Sequence, residues 1–305
     1  MKTLRSKHVF LFSFLIILLS MSCKKSNSEE NPDENPNPNA LNGVYFNLPF
    51  PSTTVQRFAP NVFTQELHAP PIFSPDGTEV YWSLMSTEHR NIQYMKLVDG
   101  IWTQPASVPF GFTEGSDSPF ISSDGTKLVF LWGHFSGAAG PGKVCIVKKS
   151  NGEWMSPQIL GNEVNQNGAH WQASIADNQN LYFAREGDVC FSEYVNGEYT
   201  TAEKLGTTIN TENVVESSPF IAPDESYLIF SRTMPNLYSD LFISFKKDDG
   251  SWGEAVNMEE LNGAYHELYA NVSPDGRFIM FLKSTWDGLM PHWVDASIIE
   301  NYRNK

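Results

Sequence analysis

Seven side chains suited to binding or proton transfer stand six to eight positions ahead of a repeated aspartate. They are His68, Asp117, His170, Trp171, Glu216, Glu267 and Tyr269, and the aspartates are Asp76, Asp124, Asp177, Asp224 and Asp275. Eight positions beyond the same aspartates come Trp132, Arg185, Arg232 and Lys283. Two facing carboxylates are the equipment for cleaving a glycosidic bond. Asp117, Glu216 and Glu267 are therefore candidates for that chemistry, with Trp171 or Tyr269 as flooring for a sugar. The three cations offer two readings: they face an anionic ligand, or they form salt bridges with Glu216 and Glu267. Binding without catalysis explains the set with fewer demands, so no catalytic residue is assigned. His170 and His266 lack the i, i+4 partner of a helical zinc site. Calcium needs six to eight oxygens converging on one point, which aspartates a repeat apart cannot supply. Neither a metal nor a cofactor is expected, and no phosphate-cradling glycine loop or nucleophile elbow is present.

The aspartates belong to five segments that align without gaps: 71–82, 119–130, 172–183, 219–230 and 270–281, with aspartate spacings of 48, 53, 47 and 51. In each a short apolar strand meets a Pro-Asp-Gly-like turn and then a β-branched and aromatic run, which reads as a hairpin. A second turn follows at Asp99-Gly100, Asn151-Gly152, Asn196-Gly197 and Asp249-Gly250, each leading to an aromatic: Trp102, Trp154, Tyr199 and Trp252. Two hairpins in about 50 residues make one propeller blade. The recurring aromatics are expected to pack between blades. Asp in such a turn accepts backbone amides, which is the role expected of the five aspartates. The fifth copy ends at His292-Trp293-Val294-Asp295 without a fourth strand, and residues 54–63 look like the missing one. The expectation is an all-β, five-bladed ring closed by an N-terminal strand, with six blades as the alternative. The innermost strand of each blade would line the channel, so the candidate residues gather at one mouth, polar and anionic. Loops after the second strand, carrying Trp132, His134, Phe135, Trp286 and His292, are the longest and suit recognition.

The Ser-Pro-Asp-Gly turn followed by an aromatic-rich strand resembles the Pro-Asp type of WD-repeat-like propeller found in TolB and in many bacterial envelope lipoproteins. The resemblance covers residues 43–305 and implies protein partners in the envelope. Ser74–Trp82 is also similar to a sialidase Asp-box, but the arginines remaining after the leader (Arg57, Arg90, Arg185, Arg232, Arg277 and Arg303) do not repeat as a carboxylate-binding trio.

Residues 1–22 are a basic stretch followed by a 13-residue apolar run, Val9 to Met21, too short to span a bilayer. Leu19-Ser20-Met21-Ser22-Cys23 resembles a lipobox, which implies a lipidated Cys23 and a Bacteroidota-type outer-membrane lipoprotein, on the cell surface or the periplasmic side. Residues 23–42 form a flexible acidic linker with little to bury. Cys145 and Cys190, placed alike in consecutive repeats, are expected as buried thiols. The 305-residue chain carries 21 basic and 35 acidic residues for a net charge of −14. A leader with three basic residues and no acid leaves −17 once removed, which excludes nucleic acid as a partner. Hydrophobic content of 41%, with 13% aromatics, is enough for a core. The predicted protein is a monomeric binding platform for an envelope protein, peptide or glycan, attached to the membrane through Cys23; the rival reading is a carbohydrate-active enzyme.

Overall fold

A computed structural model describes residues 41–85, 90–110, 115–133, 142–166 and 170–303. They form five antiparallel blades in a ring. Strands a to d of the first blade are Leu67–Phe73, Glu79–Leu84, Ile92–Val98 and Ala106–Ser107; those of the second are Ser116–Ile121, Lys127–Trp132, Lys143–Ser150 and Gln158–Ile159. The third blade comprises His170–Ile175, Leu181–Arg185, Asp188–Ser192 and Glu203–Lys204, and the fourth Glu216–Ile221, Tyr227–Thr233, Ser239–Phe245 and Val256–Asn257. The fifth has Glu267–Val272, Phe278–Thr285 and Gly288–Asp295, and takes Gln56–Arg57 as its strand d. Cys23, with the leader and tether through residue 40, lies outside the described residues, as do His134 and Phe135.

The turns explain the repeat. Asp76, Asp124, Asp224 and Asp275 each accept the backbone N–H two residues on, at 2.9–3.2 Å. Gly77, Gly125 and Gly276 supply the left-handed φ that follows. In the fourth blade Glu225 takes that slot at φ 59, and its carboxylate is used: it accepts from Tyr182 and Asn180 of the third blade and pairs with Lys246. Trp154 donates to Tyr81 across the first and second blades at 2.8 Å, and Trp252 meets Tyr182 edge-on across the third and fourth. Trp154 and Trp252 therefore do bridge blades, whereas Trp102 packs against Phe46 of the strap and Phe73 of its own blade, and Tyr199 against Tyr194 of its own. Cys145 and Cys190 are buried and unpaired, and burial pushes the Cys145 thiol up to about 12.

The closing strand is shorter than the sequence predicts. Only Gln56 and Arg57 pair with Trp293 and His292, because Phe58 and Phe63 turn inward to fill the seam between the fifth and first blades. There they meet Phe46, whose neighbour Tyr45 packs on Phe278; both are carried on a strap whose residues 45–47 have φ of 51, 59 and 53. His292 also departs from expectation. The fifth blade's b–c turn is tight, so His292 lies within strand c, buried, its Nδ1 3.0 Å from the Met290 carbonyl.

Candidate functional site

Strand a of every blade starts at one face, where the b–c turns and the d–a crossings also lie; this is the mouth. At the mouth end each strand a slips register against strand b. Such bulges redirect side chains. Ser118, Ser218 and Tyr269 take φ of 50, 54 and 58 there, and Gln172 takes 38. The first blade has Pro70 at this place and bulges without a left-handed residue.

The slipped strands bring side chains from the second, third and fifth blades onto one buried histidine of the first. His68 donates from Nδ1 to Asp117, 2.7 Å from Oδ2. Arg90, on the first blade's b–c segment, donates to Asp117 Oδ2 at 3.1 Å and also faces His68 Nε2. A guanidinium can only donate, so Nε2 is the acceptor and the ring proton sits on Nδ1. The Tyr269 hydroxyl lies 2.9 Å from Nε2 and also engages Ser218, while the Trp171 ring stands 6.2 Å from the imidazole. Asp117 is wholly buried. Burial alone would raise its pKa, but His68 and then Arg90 outweigh burial and hold the carboxyl at about 2. Burial pushes the Tyr269 phenol far up, so the hydroxyl stays protonated. Ser118 Oγ and Gln172 Oε1 are buried beside the bulges with unused hydrogen-bonding capacity. Toward the a–b turns the axis becomes apolar, lined by Ile72, Phe120, Ile175, Phe220 and Val272.

Glu216 and Glu267 do not join this cluster. They sit directly across strand b from Arg232 and Lys283 and pair with them at 2.8 and 2.5 Å. Both cations also donate to the d–a crossings, at the carbonyls of Ile209 and Leu261. Burial outweighs the cations and keeps both carboxyls above their ordinary range. Arg185 holds the equivalent place opposite His170 and donates to the Ala202 carbonyl. Trp132 ends strand b of the second blade, half-buried against the core. Salt bridging is thus the reading realised for Arg232 and Lys283. Each of the three carboxylates singled out for the mouth is matched by a cation. Among the described residues no group of His, Cys, Asp and Glu is arranged to hold a metal.

Sequence reasoning missed two features. Arg90 stands at no repeated position, so only its nearness to Asp117 reveals it. The second was legible: Leu160-Gly161…Val164-Asn165, Leu205-Gly206…Ile209-Asn210 and Met258…Leu261-Asn262 form a further repeat. Each asparagine clasps both backbone groups of one strand-c residue, Val144, Val189 or Leu241, at 2.8 and 3.0 Å.

No family model matches the chain, and no curated protein matches it in sequence. Among solved structures it is similar to a protein assigned as TolB from Agrobacterium tumefaciens, with 18% identity, a TM-score of 0.51, and coverage of 75% of this chain and 77% of that one. It is also similar to the native arabinanase Arb43A of Bacillus subtilis (12%, TM-score 0.52, coverage 75% and 94%). The catalytic domain of the Coprinopsis cinerea GH62 α-L-arabinofuranosidase is a third likeness (11%, TM-score 0.50, coverage 81% and 97%). At these identities the likeness is one of fold: the chain is a propeller of the architecture shared by TolB and these glycosidases.

Proposed function

We propose that this protein is a monomeric, envelope-anchored lipoprotein of the outer membrane, held through Cys23, whose propeller is a non-catalytic binding platform. Its mouth takes a protein, peptide or glycan. The observation that carries this reading is the state of the carboxylates. Asp117, Glu216 and Glu267 are buried and each bound to a cation, whereas glycoside cleavage requires one protonated and one free carboxyl facing a shared substrate. Arabinanase and α-L-arabinofuranosidase share the ring, but a common ring does not transfer chemistry. What this ring offers instead is a rigid face fixed by all five blades, which loses little freedom on binding.

The test is a crosslinking pull-down from envelope extract, run beside a glycan array, with native protein and with Trp171→Ala. Enrichment of a defined envelope protein or sugar, reduced by the substitution, is the expected result. Hydrolysis of arabinan or of an aryl arabinofuranoside by the purified protein would overturn the non-catalytic reading.

A further inference from the structure

The fourth- and fifth-blade side of the mouth carries apolar side chains that the fold does not use. Trp286 is 96% exposed, Leu237 78%, Tyr265 54% and Val215 47%. They are one neighbourhood. Val215 accepts the backbone N–H of Thr233, from which the fourth blade's b–c turn runs to Leu237. Tyr238 then packs edge-on against Tyr265 at 5.3 Å and against His266 at 5.0 Å. The His266 carbonyl accepts from Ser284, two residues before Trp286.

This exposure is built into the backbone. Leu237 has a φ of 70, a conformation that disfavours a branched side chain. The turn is closed by Leu237 N–H to Met234 O at 2.8 Å, Met234 N–H to Tyr238 O at 2.6 Å, and Tyr238 N–H to Asn236 Oδ1 at 3.0 Å. The turn would be easier to form with glycine, yet it carries leucine and presents it to solvent.

Charge frames the patch with one sign. Exposed Glu186 and Glu212 flank Val215, whose side chain abuts Gly187. Exposed Glu66 lies against Gly288 and accepts the Leu289 N–H, beside the turn that bears Trp286. The nearby cations Arg57, Arg232 and Lys283 are held by Asp287, Glu216 and Glu267. An apolar surface rimmed by carboxylates that no cation among the described residues pairs with repels anionic lipid and favours apolar groups accompanied by positive charge.

We propose that Val215, Leu237, Tyr265 and Trp286, framed by Glu66, Glu186 and Glu212, form the docking surface for a polypeptide segment bearing an apolar anchor flanked by lysine or arginine. This deepens the binding-platform reading and rests on it. Large aromatics dominate such contacts, so Trp286 is the expected centre.

The experiment is a selection from a phage-displayed random-peptide library on the immobilised mature chain, followed by titration of synthetic versions of the enriched peptides. Supporting results are enrichment of peptides that pair an apolar residue with Lys or Arg, and weakening of roughly tenfold or more by Trp286→Ser. Leu237→Gly should weaken binding without lowering Tm, because it relieves the left-handed leucine; a purely structural role for Leu237 would leave binding unchanged. Raising NaCl from 50 to 300 mM should also weaken binding, as should Glu212→Gln combined with Glu66→Gln. Peptides whose binding ignores Trp286 and Leu237 but falls with Trp171→Ala would overturn this surface and leave the platform standing. Enrichment of acidic or uncharged peptides would overturn it too. No peptide enrichment, together with an empty pull-down and glycan array, would remove both readings.

Discussion

His68 is held by groups from three other strands and one turn, and the hardest of these to replace is Asp117. Removing one partner of a buried ion pair leaves the other charge uncompensated, at about 3–5 kcal/mol. Asp117→Asn leaves Arg90 in that position, so urea denaturation should show a loss of this order. The same residue sets the acid limb of stability. Its carboxyl sits at about 2 in the folded chain against an ordinary 3.8. Between those values the unfolded chain binds a proton that the native one does not, so stability rises with pH there and the contribution is complete above the upper value. About two pKa units correspond to roughly 2 to 3 kcal/mol. Denaturation midpoints measured from pH 2 to pH 5 should climb in the wild type, and Asp117→Asn should flatten the climb. Glu216 and Glu267 act with the opposite sign: their raised carboxyls let the native chain keep protons above the ordinary range, so their ionisation subtracts stability as pH rises through that window. The Asp117 signature is therefore confined to the most acidic arm.

At the scale of elements, what fixes a blade is the crossing that leads out of it. Asn210 satisfies both the N–H and the C=O of Val189 and donates to the Leu205 carbonyl as well. Asn210→Ala strands buried backbone groups and should cost about 1–3 kcal/mol, read as a lower Tm, while Thr207→Ala, on the exposed part of the same crossing, should leave Tm unchanged. The blades themselves were legible in the sequence because their signals are local. Pro-Asp-Gly and Asn-Gly turns impose φ on two or three residues, and Asp99-Gly100, Asn151-Gly152 and Asn196-Gly197 do take positive φ at both positions. Cross-strand pairs were legible for the same reason: register carries Glu216 to Arg232 and Glu267 to Lys283. The His68 cluster was only half legible. His68, Asp117, Trp171 and Tyr269 follow from counting back to the aspartates, but Arg90 reaches them from an unrepeated segment, and no periodicity encodes that approach. Nor does a pattern of residue types separate a carboxylate that is neutralised by its neighbour from one that faces a substrate, since that depends on contacts across the chain.

For the whole molecule, the ring stands on one seam. The closing segment supplies two laddered residues and single backbone bonds at Ser52 and Phe58, and behind it the seam is filled by aromatic side chains: Phe46 against Phe58, Phe63, Phe73 and Trp102, and Tyr45 against Phe73 and Phe278. Phe46→Ala should cost about 3–5 kcal/mol, the scale of a large buried aromatic, and limited proteolysis should then cut near residues 50–57 before any other described segment. The strap that delivers these rings is moored to the first blade, not to the closing strand. Gly43 N–H reaches the Gly100 carbonyl, Trp102 N–H reaches Leu41, and the Trp102 indole reaches Gly43 at 2.7 Å. Tension drawn through the chain upstream of Leu41 is therefore borne first by the Trp102 hairpin. Gln56 and Arg57, the clasp that shuts the circle, stay out of the line of pull until those moorings give way.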